Sequence, residues 1–144
     1  MTVRLNPYLS FNGNAREAME FYKSVFGGDL DVSTFADAGG MGVPEDEQSK
    51  VMHSQLEVPG VLTLMGSDTP SHMGYEAPAG TSISLSGDDD GTLRGWWDGL
   101  SDGATVTMPL EVAPWGDAFG MLKDKYGIDW MVNIAGPGNQ GNDN

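Results

Sequence analysis

The sequence predicts an α+β fold made of two copies of a βαβββ module, and two observations lead to this prediction. Strand-like and helix-like patterns recur in the same order in both halves of the 144-residue chain. Matching positions are separated by a nearly constant distance: Leu9 and Ile83 by 74 residues, Tyr22 and Trp97 by 75. A constant offset of this kind is typical of a duplicated structural unit.

The first module begins with residues 5–11, where alternating polar and apolar side chains predict a half-buried strand. A helix is predicted after Asn14, because apolar residues then recur at helical spacing up to Gly27. Asn14 is placed to cap this helix, with Glu17 as its capping-box partner. The remaining predicted strands of this module are 29–36, 50–58 and 61–67.

The second module repeats this order. Residues 81–87 alternate as a strand, and the run Asp88 to Asp90 supplies a helix cap. Leu93, Trp97 and Leu100 keep the spacing of one helix face. The strands predicted after this helix are 104–112, 117–124 and 128–134.

These patterns place one domain at residues 1–135. Within it, module one spans 5–67, a linker spans 68–80 and module two spans 81–135. The segment 136–144 contains no core-forming side chain, so a disordered tail is predicted there. Residues 36–49 form a second long loop that is rich in glycine and acidic residues.

Composition excludes several classes of function. The chain carries 21 acidic and 7 basic residues, for a net charge of −14, which disfavours binding to nucleic acid or to anionic membranes. It has no cysteine, so disulfides and thiol catalysis are excluded. Without an apolar run of about 18–20 residues, no membrane span is predicted and a cytoplasmic location is expected.

Three stretches, 7–28, 51–58 and 115–134, resemble the PhnB-like branch of the glyoxalase, bleomycin-resistance and extradiol dioxygenase superfamily, also called the vicinal oxygen chelate superfamily. The resemblance covers about residues 5–135. It implies two paired modules that form a curved mixed sheet around a shared cleft, and it implies a homodimer. Members of the superfamily usually bind a metal in that cleft, where it chelates two neighbouring oxygens of the substrate.

The resemblance also implies where the metal ligands would lie. These positions fall at Pro7 or Tyr8, at Ser82, within 63–65, and at Met131. None of them is a histidine or a carboxylate, the residue types that usually hold divalent ions in this superfamily. The sequence therefore predicts no cofactor at the usual site. A non-standard divalent metal held by His53 and Glu57 is left as an alternative.

His53 is the candidate catalytic residue. On the predicted strand 50–58 one face carries Val51, His53, Gln55 and Glu57, and the core-like face carries Met52, Ser54, Leu56 and Val58. Histidine titrates near neutral pH, so it suits a general acid or base whose charge Glu57 would tune. The alternative is an amphipathic strand with a solvated polar face.

The predicted ligand-binding residues combine aromatic, thioether and hydrogen-bonding side chains, as apolar small-molecule clefts do. They are Tyr8, His53, Gln55, Glu57, Ser82, Trp115, Met131 and Asn133. Met65, Met121 and Trp130 could also line such a cleft, but core packing is the default role for apolar residues on strands. Ser84 is a further hydrogen-bonding candidate.

The function predicted from these residues is binding of an unidentified small molecule in the cleft between the modules, without the usual metal. An acidic cleft wall favours a cationic ligand. Two alternatives are an isomerase or lyase that uses His53, and an oligomeric module without a small-molecule function. No Gly-rich loop joins a strand to a helix, so the sequence does not support a nucleotide or methyltransferase site.

Overall fold

The chain divides into two compact units, Met1–Pro78 and Ala79–Asn144. A computed structural model describes residues 3–138 of them. The boundary between the units falls within the segment predicted as a linker.

The first unit is one four-stranded sheet with one α-helix. Its strands have the order β1-β4-β3-β2, with β1 parallel to β4 and the other pairs antiparallel. The elements are β1 (Tyr8–Phe11), α1 (Ala15–Phe26), β2 (Asp29–Thr34), β3 (Val51–Val58) and β4 (Leu62–Asp68). The two long loops carry single-turn 3-10 helices at Glu45–Glu47 and Ser71–Met73.

The second unit repeats this topology. Its strand order is β5-β8-β7-β6, again with the first strand parallel to the last. The elements are β5 (Ile83–Gly87), α2 (Asp90–Leu100), β6 (Thr105–Val112), β7 (Ala118–Lys123) and β8 (Asp129–Ile134). The predicted α+β class and the duplicated βαβββ order are confirmed.

Each helix covers one face of its own sheet. In the first unit α1 buries Met19 and Tyr22. Gly66 on β4 leaves room for this packing, because a Cβ atom there would lie 3.2 Å from the sulfur of Met19 and 3.0 Å from the ring of Phe11. In the second unit α2 buries Trp97, whose ring lies over Gly120 of β7. Burial of such large side chains is the main favourable term in folding.

The sequence predicted the N-terminal cap of α2 correctly but not that of α1. Asp89 caps α2 as expected, with its carboxylate accepting the backbone N–H of Thr92 at 3.1 Å. At α1 the predicted capping role of Asn14 is wrong, because its side chain makes no capping hydrogen bond. The buried carboxylate of Asp68 accepts the backbone N–H groups of Gly13 and Ala15 instead, each at 2.9 Å. This partner is remote in sequence and leaves no local signal.

One predicted face assignment on β3 is also wrong. Val51 was placed with His53 and Gln55, but it is buried with Ser54 and Leu56 on the core side. The register explains the change: Ser33 pairs with His53 and Thr34 with Val51, so Met52 is an extra residue. A β-bulge of this kind reverses the alternation of side chains beyond it.

Ordered structure continues past residue 135. Gly136 is buried, and its N–H donates to a carboxylate oxygen of Asp117 at 2.8 Å. Of the tail predicted as disordered, residues 139–144 lie outside the described residues. Neither of the α-helices in residues 3–138 has the length and apolar character that a membrane span requires.

The two long loops of the first unit are joined at Glu47. This buried carboxylate accepts the backbone N–H of Ser71 at 2.9 Å and the side chains of Ser71 and Lys50. The hydrogen bonds from Ser71, and then that from Lys50, lower the pKa of Glu47 from 4.5 to about 2. Because the folded pKa lies below the unfolded one, this stabilisation is present above pH 4.5 and is lost as the pH falls towards 2.

We therefore expect Glu47→Gln to lower stability at neutral pH and to reduce the loss of stability on acidification. Urea unfolding at a series of pH values from 7 to about 3 measures both effects. Glu45→Gln, at an exposed position in the same 3-10 turn, is the matched control. A stability difference between wild type and Glu47→Gln that stays constant over this pH range would contradict the assignment.

Candidate functional site

The face of the first sheet opposite α1 carries most of the predicted site residues of that unit. Gly66 faces α1, so its neighbour Met65 points to the other side. Strand register places Tyr8 on one side of Met65 and Gln55 on the other, and Asp31 beyond Gln55. His53 and Glu57 lie two residues before and after Gln55 on β3. These two residues and the four named above (Tyr8, Asp31, Gln55 and Met65) are called the first platform.

Tyr8 and His53 form a pair on this platform. The Tyr8 hydroxyl lies 3.4 Å from Nδ1 of His53, at the long end of hydrogen-bonding distances. The two ring centroids are 5.9 Å apart with an angle of 37° between the planes. Tyr8 is exposed and His53 half-buried, so both can reach a bound molecule. A phenol beside an imidazole can donate or accept hydrogen bonds at either end.

Beyond this pair the platform is acidic. The side-chain amide of Gln55 donates to Glu57 Oε1 at 3.3 Å, so Glu57 is linked to Gln55 and not directly to His53. Asp29 lies opposite Glu57 on β2, which places two carboxylates next to each other. The four strands of this sheet contain no lysine or arginine. Such a surface attracts cationic groups.

In the second unit the face opposite α2 carries a row of methionines. The ring of Trp97 from α2 lies over Gly120, so Met121 points to the opposite side of β7. Met121 pairs with Met131 on β8 and with Met108 on β6. Ser84 of β5 pairs with Met131 and completes the row.

A second row follows on the same face. Asn133 pairs with Phe119 on one side and Ser86 on the other. The ring of Trp115 meets the ring of Phe119 edge-on, with centroids 5.9 Å apart. The amide of Asn133 donates to a carboxylate oxygen of Asp117 at 3.0 Å, which fixes its orientation. These two rows and Trp115 are called the second platform.

The structure thus divides the predicted ligand-binding residues into two groups. Tyr8, His53, Gln55 and Glu57 belong to the first platform, and Trp115, Met131 and Asn133 to the second. Ser82 is exposed and lies just before β5. Trp130 lies in the core, the default role for an apolar residue on a strand: it is 1% exposed and its indole N–H donates to Asp124 at 2.8 Å.

Sequence reasoning missed Met108 and Phe119. Their neighbours in the rows are 13 or 14 positions away in the chain, and only the strand register brings them together. In β6 the register shifts on both sides of Met108, so alternation along this strand did not indicate which face Met108 occupies. Phe119 could have been predicted, because it lies two residues before Met121 on β7 and alternation along a strand places both side chains on the same face.

The four positions implied for a metal do not fit a hard divalent ion. Tyr8 pairs with Met65, and Ser84 pairs with Met131. Ser84 therefore takes the place equivalent to Tyr8, and the earlier assignment to Ser82 is corrected. A phenol, a hydroxyl and two thioethers are weak ligands for such ions. Among residues 3–138 no three histidine or acidic side chains group to hold a metal, so His53 and Glu57 lack a third ligand of these types.

Comparison with known proteins places the chain in a family. The model of the family described as 3-demethylubiquinone-9 3-methyltransferase matches residues 3–133. The chain belongs to this family. A solved structure of protein PA1353 from Pseudomonas aeruginosa is 38% identical, covers 92% of this chain and 98% of its own, and has a TM-score of 0.81.

Another similar solved structure is described as a PhnB protein from Bacillus cereus. It is 26% identical, covers 92% of this chain and all of its own, and has a TM-score of 0.70. The fold is also that of a glyoxylase/bleomycin resistance protein/dioxygenase domain from Frankia sp. EAN1pec, at 14% identity, with coverage of 94% and 98% and a TM-score of 0.60. The predicted PhnB-like family and the predicted glyoxalase-like fold are confirmed.

Proposed function

We propose that this PhnB-like protein binds a small organic cation on the first platform, without the metal that is usual in the superfamily. The observation that carries the proposal is the Tyr8–His53 pair, which lies on an acidic sheet whose strands contain no lysine or arginine. Aromatic rings attract cations through their faces, and nearby carboxylates strengthen that attraction. The thioether of Met65 beside Tyr8 adds an adaptable apolar contact.

A titration with benzyltrimethylammonium tests the charge requirement. Neopentylbenzene, its neutral isostere, has the same shape without the charge. We expect the cation to bind and to raise thermal stability, by about 2.7 kcal/mol when its concentration is about 100 times Kd. The neutral compound should bind far more weakly, because it gains nothing from the carboxylates.

Variants locate the binding site. We expect His53→Ala and Tyr8→Leu to weaken binding of the cation because each removes one ring of the pair, whereas His72→Ala should bind as wild type does. His72 is the other histidine of the chain and lies exposed in the loop after β4. Equal binding of the neutral isostere, or unchanged binding in His53→Ala, would refute the proposal.

A second candidate function is proton transfer by His53, as in an isomerase or lyase. The observation that favours it is the Tyr8 hydroxyl beside His53 Nδ1, since a phenol and an imidazole together can pass a proton. Its test is exchange of α-hydrogens of simple ketones in D2O, followed by NMR. Exchange should depend on His53 and not on His72. Equal exchange rates in His53→Ala and wild type would exclude this role.

We do not propose methyl transfer, in spite of the family's description. Cofactors with phosphate or carboxylate groups bind well at free helix N-termini. In residues 3–138 both α-helices already begin at a carboxylate, Asp68 at α1 and Asp89 at α2. A second anion at either end would be repelled.

A further inference from the structure

The methionine row of the second platform places three side chains of the same ligand type at adjacent positions. Met108, Met121 and Met131 occupy neighbouring strands in direct register. They are three of the nine methionines of the chain, and they lie on the face that α2 does not cover. Met108 is 46% exposed, and Met121 and Met131 are half-buried. The three thioethers of the row therefore lie outside the core that the sheet forms with α2.

We propose that this row binds a soft monovalent metal ion of the Cu(I) class. Thioether sulfur is a neutral, polarisable ligand that selects soft ions over Mg²⁺, Ca²⁺ or Mn²⁺. Because the chain has no cysteine, no thiolate competes with the row for such an ion. The net charge of −14 raises the concentration of cations near the protein.

The spacing of the row suits one shared ion. Directly opposite residues of neighbouring strands have Cβ atoms about 4.5–5.5 Å apart. A methionine side chain has three rotatable bonds, so its sulfur can turn towards either neighbour. With Met121 in the middle, the sulfurs of Met108 and Met131 can approach it from both sides. The hydroxyl of Ser84, next to Met131, lies at the end of the row.

This site is separate from the proposed cation site in residues and in chemistry. The first platform uses Tyr8 and His53 for an organic cation, whereas the row uses sulfur for a metal. Variants of the row should leave binding of benzyltrimethylammonium unchanged. Failure of one proposal would thus leave the other standing.

Calorimetric titration with silver nitrate in chloride-free buffer tests the proposal, with Ag(I) as a redox-stable probe. We expect one Ag(I) per chain, with no comparable binding of Mg²⁺ or Zn²⁺. Met121→Leu and Met131→Leu should each weaken Ag(I) binding by about tenfold or more, a loss that calorimetry resolves. Methionine and leucine have similar volumes, so these variants should remain folded.

The control variants distinguish binding of Ag(I) at a shared site from binding at single methionine sulfurs. Met65→Leu removes a lone methionine at the equivalent place on the first sheet, and Met73→Leu removes an exposed one from a loop. His53→Ala removes the imidazole that Ag(I) could also bind. All three should bind Ag(I) as wild type does. Equal losses in Met65→Leu and Met121→Leu would overturn the proposal, as would a loss confined to His53→Ala.

NMR of the wild-type protein with ¹³C-labelled methionine methyl groups gives a test without substitution. On addition of Ag(I), three of the nine methyl signals should shift together and saturate at one equivalent. Gradual shifts of most signals, or no saturation, would show adventitious binding and overturn the proposal.

Discussion

Asp68→Asn should lower the free energy of unfolding by about 3 kcal/mol, among the largest effects expected for one substitution. Asp68 is 3% exposed and accepts three backbone N–H groups, from Gly13, Ala15 and Val51, each at 2.9 Å. An asparagine keeps the volume but replaces one acceptor oxygen with an NH₂ group. That group would face an N–H donor, and a buried donor would lose its partner.

Asp29→Asn is the control for this substitution. Asp29 is exposed on β2 and lies opposite Glu57, so removing its charge should leave stability within about 0.5 kcal/mol or raise it slightly. Urea unfolding followed by far-ultraviolet circular dichroism measures both variants. If Asp68→Asn is no less stable than Asp29→Asn, Asp68 does not hold these segments together. Val51 lies two residues before His53, so Asp68 also fixes the start of the strand that carries the candidate site.

Gly120→Ala should destabilise the second unit by about 1–3 kcal/mol, the cost of forcing an added methyl group into a packed core. The new Cβ would lie 2.8 Å from Cη2 of Trp97 and 2.9 Å from Cα of Leu110. The Trp97 ring belongs to a buried helix face, and Leu110 presents backbone of β6, so neither can move away freely. A shift of β6 would also move Met108, so this variant should weaken the methionine row as well.

Gly95→Ala is the control, and its expected effect is an increase in stability. Gly95 lies exposed within α2, and a Cβ there would meet no atom within 4 Å. Alanine should raise stability by about 0.5–1 kcal/mol, since glycine is unfavourable inside a helix. Guanidinium unfolding of both variants measures the difference. Similar stabilities for the two variants would mean that the core around Gly120 yields to the extra methyl group.

The fold could be predicted from the sequence because its signals are local. Helical spacing in 15–26 and alternation in 51–58 each arise within one element, and their repetition gave the topology. Bounds were less certain: the first strand begins at Tyr8 and not at residue 5. Asn14 and Val51 were assigned wrongly because the competing interactions, a remote carboxylate and a β-bulge, have no local pattern.

The candidate site could be predicted only in part, for the same reason. Alternation indicated correctly that His53, Gln55 and Glu57 share a face, and the superfamily pattern pointed to Met131. The contact between Tyr8 and His53 joins residues 45 positions apart, and it depends on the order of the strands. The row formed by Met108, Met121 and Met131 likewise depends on register between strands, which a single sequence does not reveal.

The placement of Trp130 in the core of the second unit has a spectroscopic consequence. All four tryptophans, at positions 96, 97, 115 and 130, belong to this unit, and residues 1–78 contain none. Intrinsic fluorescence excited at the red edge of the indole band therefore reports on one half of the duplicated chain. Circular dichroism reports on both halves. Unfolding curves from the two probes that coincide would show that the two halves melt as one cooperative unit, and curves that separate would reveal which half melts first.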